Sequence, residues 1–178
     1  MDLLKELSEL ELTQDVTELD LDGELPDIRG LETKYLYCNF NKALKLSQLP
    51  QTLELLSCNN NCRILCEEDA PVLHNVRGFI DANETVVDSW EHLFRTCPNI
   101  ETLDLRRESI PGEVSLLKNL KMICIEGGKE DAHLNLDVPE GCSIVISGLG
   151  QRPKKYIYKN GVPILVESVR VSFDFALY

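Results

Sequence analysis

The stretch Ile100-Glu101-Thr102-Leu103-Asp104-Leu105 places apolar residues at its first, fourth and sixth positions, and a polar residue, Glu108, follows at the ninth. Leu103 and Leu105 alternate with Thr102 and Asp104, the period of a short strand with one buried face. The same phrase recurs as Leu53, Leu56, Cys58 and Asn61, and as Leu120, Ile123, Ile125 and Gly128. It recurs again as Leu31, Lys34, Leu36 and Asn39, with one apolar position lost. Weaker copies are Leu73, Val76 and Gly78 leading to Asp81, Ile144 with Ile146, and Val16 with Leu19 and Leu21. Starts at Leu31, Leu53, Leu73, Ile100 and Leu120 are 22, 20, 27 and 20 residues apart. Each interval suits one coil of a stacked chain, which needs about 20 to 29 residues.

Phrase and period together resemble the leucine-rich-repeat family over roughly Val16 to Gly148. Leu49-Pro50-Gln51-Thr52-Leu53 through Asn61 is similar to the repeats of bacterial virulence effectors, and Leu25-Pro26 and Val138-Pro139 echo its opening. The chain departs from the pattern at Lys34 and Gly78, where leucine is expected, and only the copies at Leu31 and Leu53 keep the asparagine. The resemblance implies an α/β solenoid: a curved parallel sheet, with turns and one longer helix on the convex side, closed by terminal caps.

Three parts follow. Residues 1-15, with Leu3, Leu4, Leu7 and Leu10 at helical spacing, suit an N-terminal helical cap; residues 16-150 hold the repeats; residues 151-178 suit a C-terminal β cap. In that last part Asn160-Gly161 signals a hairpin, and Val169, Val171, Phe173, Phe175 and Leu177 alternate as a strand does. In the longest interval Val86, Val87, Trp90, Leu93 and Phe94 share one helical face, so Thr85 to Arg95 is expected to be the longest helix, stopped by Pro98.

A net charge of −12 sets long-range repulsion against nucleic acid, and the pairs Arg106-Arg107 and Lys154-Lys155 are too small to reverse it. No apolar run reaches bilayer-spanning length, and Met1 to Leu7 lacks a cleavable secretory signal. Seven cysteines, an odd number placed partly in apolar slots, read as reduced packing thiols. The expected setting is cytoplasmic, or a host cytosol reached without a cleavable signal.

Cys58, Cys62 and Cys66 with His74 are spaced too widely for zinc knuckles, and His74, His92 and His133 sit beside no nucleophile motif. Gly127-Gly128 lacks the lysine of a phosphate loop, and Glu67-Glu68-Asp69 reads as a solvated turn. No catalytic residue, metal or cofactor is assigned. The resemblance implies a binding module for another protein, recognised on the concave face by residues between the inward ones. Tyr35, Tyr37, Asn59, Arg77, Phe79, Asp104 and Arg106 are the expected anchors, since tyrosine and arginine dominate many interfaces. Thr33 and Asn75 are expected on the same face. The alternative is a cysteine-dependent enzyme, or the recognition part of a ubiquitin ligase, although only 28 residues follow Gly150.

Overall fold

The computed structural model describes residues 16–19, 27–39, 43–59, 62–81, 85–105, 110–126, 134–148 and 152–166. Seven strands run parallel in one sheet: β1 (Val16–Leu19), β2 (Tyr35–Asn39), β4 (Leu55–Asn59), β6 (Gly78–Asp81), β8 (Thr102–Leu105), β9 (Met122–Glu126) and β10 (Ser143–Ser147). Two antiparallel strands, β11 (Lys154–Lys159) and β12 (Val162–Val166), extend it to nine. A second, three-stranded parallel sheet holds β3 (Ala43–Lys45), β5 (Arg63–Leu65) and β7 (Val86–Val87). The only α-helix among the described residues is α1 (Trp90–Thr96), and 3-10 turns lie at Leu46–Gln48 and Gly112–Leu116. The architecture is therefore mixed α/β, dominated by a mostly parallel open sheet.

Register fixes what faces the core. Leu36, Leu56, Phe79, Leu103, Ile123 and Ile144 lie side by side on successive strands, all at most 1% exposed. Two residues on, Cys38, Cys58, Asp81, Leu105, Ile125 and Ile146 form a second buried row. Along the chain the members of the first row are 20, 23, 24, 20 and 21 residues apart, more even than the sequence phrase suggests. Three copies therefore sit in a different register from the one expected. At Leu31 the phrase slides two residues, so Thr33 is buried at 2% and is not an outward residue. At Leu73 it slides three: Val76, Phe79 and Asp81 take the inward positions. At the first copy, Thr17 and Leu19 pair with Leu36 and Cys38.

Phe79 turns inward because the register sets it beside Leu56 and Leu103. It meets Trp90 of α1 edge-on, ring centres 6.0 Å apart at 83°, and Trp90 in turn lies 5.5 Å from Phe94. The helix is shorter than expected. Val86 and Val87 are β-branched and join the second sheet as β7, pairing with Arg63 and Ile64. Ser89 then opens α1 by accepting a hydrogen bond from the His92 N–H on its Oγ (3.2 Å). That second sheet replaces the turns expected at Ala43 and Arg63, and its strand β7 replaces the first part of the helix expected from Thr85.

The segments leading into successive strands are tied by one repeated polar position, just before the first buried residue of each strand's approach. Thr52 Oγ1 donates to the Thr33 carbonyl (2.8 Å), Asn75 Nδ2 to Gln51 (2.8 Å) and Asn99 Nδ2 to His74 (2.9 Å). Asn119 Nδ2 donates to the Asn99 side-chain oxygen (3.0 Å). The first three of these bonds satisfy backbone carbonyls of the preceding turn, and the fourth links two side chains.

The β11–β12 hairpin carries the Asn160-Gly161 turn with φ of 52° and 72°, the left-handed pair that a two-residue type I′ connection needs. Tyr156 and Tyr158 face the core, and the Tyr158 hydroxyl donates to the Leu134 carbonyl (2.8 Å). Lys159 and Val162 flank the turn as a hydrogen-bonded pair, so alternation sends the backbone groups of Pro163 and Leu165 to the outer edge. Proline has no N–H to offer there, which blunts that edge for strand addition. The N-terminal cap expected over residues 1-15 and the strand expected after Val169 lie outside the described residues. Among the described residues no helix is long and apolar enough to cross a membrane.

Candidate functional site

The face of the main sheet opposite the core is set by the same alternation that sets the core. One row across it is Tyr35, Leu55, Gly78, Thr102, Met122, Ser143 and Ile157; the next is Tyr37, Ser57, Ile80, Asp104, Cys124, Val145 and Lys155. Tyr35, Tyr37, Leu55, Ile80, Asp104, Met122 and Ile157 are each half-buried. At Gly78 there is no room for more: a Cβ would stand 2.6 Å from Leu55 Cδ1, because the Leu55 side chain reaches over this position. Cys124 and Val145 are buried, at 4% and 1%, yet belong to this outer face and stand apart from the main core.

Of the expected anchors, Tyr35, Tyr37 and Asp104 lie together on this face, and Phe79 does not. Its neighbour Ile80 takes the outward place, a direct result of the register shift. Asn59 ends β4 in register with Asn39, and its side chain lies outside the described residues, as does all of Arg106. Arg77 is exposed but belongs to the lip where the strands begin. Lys34, Glu54, Arg77, Glu101 and Lys121 stack there, each linked to the one before by a backbone hydrogen bond of 2.7 to 2.8 Å. Their charges alternate: Lys34 lies 3.7 Å from Glu54, and Glu101 lies 3.5 Å from Arg77 and 2.5 Å from Lys121. The Lys121 ammonium bonded to Glu101, with Arg77 on its other side, lowers the carboxyl's pKa. Asn75, expected on the outer face, donates to Gln51 at the turn.

The signal that fixes the fourth register was present in the chain. Thr52-Leu53, Asn75-Val76, Asn99-Ile100 and Asn119-Leu120 share a polar residue before the first apolar one. Aligning on that pair makes Phe79 equivalent to Leu56 and Leu103.

Six of the seven cysteines are buried and Cys66 is half-buried, and the hydrogen bond with Cys58 lowers the pKa of Cys62. Cys58 is fully buried, hydrogen-bonded with Cys38 and Cys62, and those bonds together with burial push its pKa up. Burial lifts Cys97 to about 12 and Cys142 to about 11; burial and the nearby Asp104 carboxylate lift Cys124 to about 12. A thiol titrating that high carries almost no thiolate at neutral pH. Cys66 is raised too, chiefly by burial. His74 is exposed and serves through its carbonyl, whereas His133 lies outside the described residues. Glu67, expected in a solvated turn, instead binds the Ser47 N–H (3.1 Å) and hydroxyl (2.7 Å). Among the described residues no three His, Cys, Asp or Glu side chains converge as a metal-ligand set.

Comparison of the chain with protein-family models, curated proteins and solved structures finds no match in any of the three.

Proposed function

We propose that the chain is a leucine-rich-repeat solenoid that binds another protein on the concave, outer face of its main sheet, without catalysis of its own. The observation that carries this reading is the row of half-buried Tyr35, Leu55 and Met122 beside Tyr37 and Ile80, a broad apolar and aromatic surface on an open sheet. Aromatic side chains of this kind give large contact area at low conformational cost and recur as interface anchors. Asp104 and Lys155 lie in the second row and supply the polar contacts that fix orientation. The raised thiol pKa values at Cys97, Cys124 and Cys142 support a packing role for the cysteines over a nucleophilic one.

The test is capture from cell lysate with three chains: the unaltered protein, Tyr35→Ala/Tyr37→Ala/Ile80→Ala, and Glu91→Ala/Arg95→Ala on α1. A partner held by the first and third should be lost or weakened more than about tenfold by the second, since hot-spot truncations cost about 2 kcal/mol or more. Loss on the α1 variant with retention on the sheet variant would move the site to the other side of the molecule.

A further inference from the structure

The passage from the main sheet to the second sheet brings residue i+4 back to residue i. After β6 the Asp81 carboxylate accepts the Thr85 N–H (2.9 Å), and Val86 then opens β7. After β4 the same two places belong to cysteines. Cys58 is the register partner of Asp81, and Cys62 precedes Arg63 as Thr85 precedes Val86, its partner. The Val86 N–H donates to the Cys62 carbonyl (2.9 Å), which ties the two passages together. The Cys58 thiol is hydrogen-bonded with Cys62 on one side and Cys38 on the other. The bond from Cys58 favours a thiolate at Cys62, whose pKa is lowered, whereas burial and neighbouring groups raise those of Cys66, Cys97, Cys124 and Cys142.

We infer that Cys58 and Cys62 form a redox site that a small hydroperoxide closes into a reversible disulfide between β4 and the approach to β5. The Cys62 thiolate attacks the terminal oxygen of the peroxide: an S–O bond forms, the O–O bond breaks, and the departing oxygen takes up a proton and leaves as an alcohol, or as water from hydrogen peroxide. The Cys58 sulfur then attacks the sulfenic sulfur of Cys62. The S–S bond forms, the S–O bond breaks, and hydroxide leaves as water with the proton from Cys58, so one peroxide accepts the two electrons that the thiols lose. Cys38 is kept out of the bond by register. It stands opposite Cys58 on a parallel neighbour, where the strand spacing of about 4.8 Å exceeds the about 3.8 Å between Cβ atoms that a disulfide prefers. Cys38, Cys58 and Cys62 are each at most 1% exposed, which excludes bulky or charged oxidants and leaves a small neutral peroxide as the class that fits. This inference is independent of the outer-face binding proposed above.

The test is stepwise oxidation of the full chain by hydrogen peroxide in native buffer, followed by alkylation in denaturant and mass spectrometry of its peptides. Two of the seven thiols should disappear together, with Cys58 and Cys62 linked and Cys38 alkylated, and dithiothreitol should restore both. Cys62→Ala should slow the first reaction with peroxide at least about tenfold, since the thiolate is the reacting form. Cys58→Ser keeps a donor for Cys62 but cannot bond to it, so oxidation should stop at a Cys62 sulfenic acid, which dimedone added with the denaturant traps. Cys38→Ala should keep the bond between Cys58 and Cys62. Circular dichroism shows whether each variant folds, and the peptide map of the unaltered chain decides the pairing without them. A bond from Cys58 to Cys38, earlier oxidation of any other cysteine, or thiols that all survive peroxide until the chain is unfolded would each overturn the inference.

Discussion

At the level of single residues, one position separates burial from exposure, and β6 shows it most clearly. Phe79 is 1% exposed and packs on Trp90, whereas Ile80 beside it lies on the outer face. Phe79→Ala should therefore cost about 3 to 5 kcal/mol, the usual range for emptying an aromatic core site, while Ile80→Ala should cost under about 1.5 kcal/mol. Urea denaturation midpoints decide it, and a reversed order would show the strand turned over. The inward places of Leu56, Leu103 and Ile123 were readable because each stands at the fourth position of an intact copy of the phrase, three residues after Leu53, Ile100 and Leu120, and Leu103 also alternates with Thr102 and Asp104. Phe79 was not, because Gly78 interrupts the alternation and Phe79-Ile80 offers two apolar neighbours to one buried slot. A second residue-scale expectation concerns Asp27, whose carboxyl the Arg29 guanidinium holds down at about 2 through hydrogen bonds of 2.8 Å and 3.0 Å from Nε. A depressed carboxyl favours the fold when ionised, so its contribution is complete above the ordinary value near 4 and is lost as pH falls through about 2. The pair is exposed and adds little to global stability, so the carboxyl carbon shift is the better readout. Its midpoint should sit near 2 in the native chain and rise toward the ordinary value in Arg29→Gln while staying below it, because the N–H of residue 29 still donates to Asp27 Oδ1 (3.1 Å).

Among the elements, successive strands are joined by the polar position before each of several of them as well as by apolar packing. Asn99 acts twice: its Nδ2 reaches the His74 carbonyl and its Oδ1 accepts from Asn119. Asn99→Ala should thus destabilise by about 1 to 2 kcal/mol and Asn119→Ala by about half as much, each bond being worth about 1 kcal/mol. In the double variant the two losses should not add, because both include the same bond; full additivity in a thermal or urea cycle would show that the Asn99–Asn119 link contributes nothing. This scale was only partly legible. The Asn160-Gly161 hairpin and the parallel strands follow from local chemistry, namely left-handed turn residues and period-two alternation. The β7 strand does not, because Val86 and Val87 fit a helical face with Trp90 and Phe94 as well as they fit a strand. Pairing with Arg63 and Ile64, distant in sequence, decides between the two. The Ser89 cap was the local clue that the helix begins after the valines.

For the molecule as a whole, each inner strand is covered by the strands beside it, and the two end strands need something different. At the C-terminal end the chain reverses direction, so β11 lies antiparallel on β10 and brings Tyr156 and Tyr158 over the core beside Ile144 and Cys142. Tyr158 is 1% exposed and anchors its hydroxyl on Leu134, which also draws the preceding loop onto the core. A chain ending at Gly150 should therefore lose at least about 4 kcal/mol, from two tyrosine side chains at about 2 kcal/mol each before any hydrogen bond is counted. It should also bind a hydrophobic dye, because Ile144, Ile146 and Cys142 would lose their cover. Tyr158→Phe isolates the hydroxyl: it keeps the ring in place and should cost only about 1 kcal/mol, with no dye binding. If the shortened chain unfolds at the same denaturant concentration as the full one, the hairpin is an appendage and β10 is covered by its other neighbours alone. If Tyr158→Phe costs as much as the deletion, the hydroxyl bond to Leu134 holds this end of the sheet and the apolar cover does not.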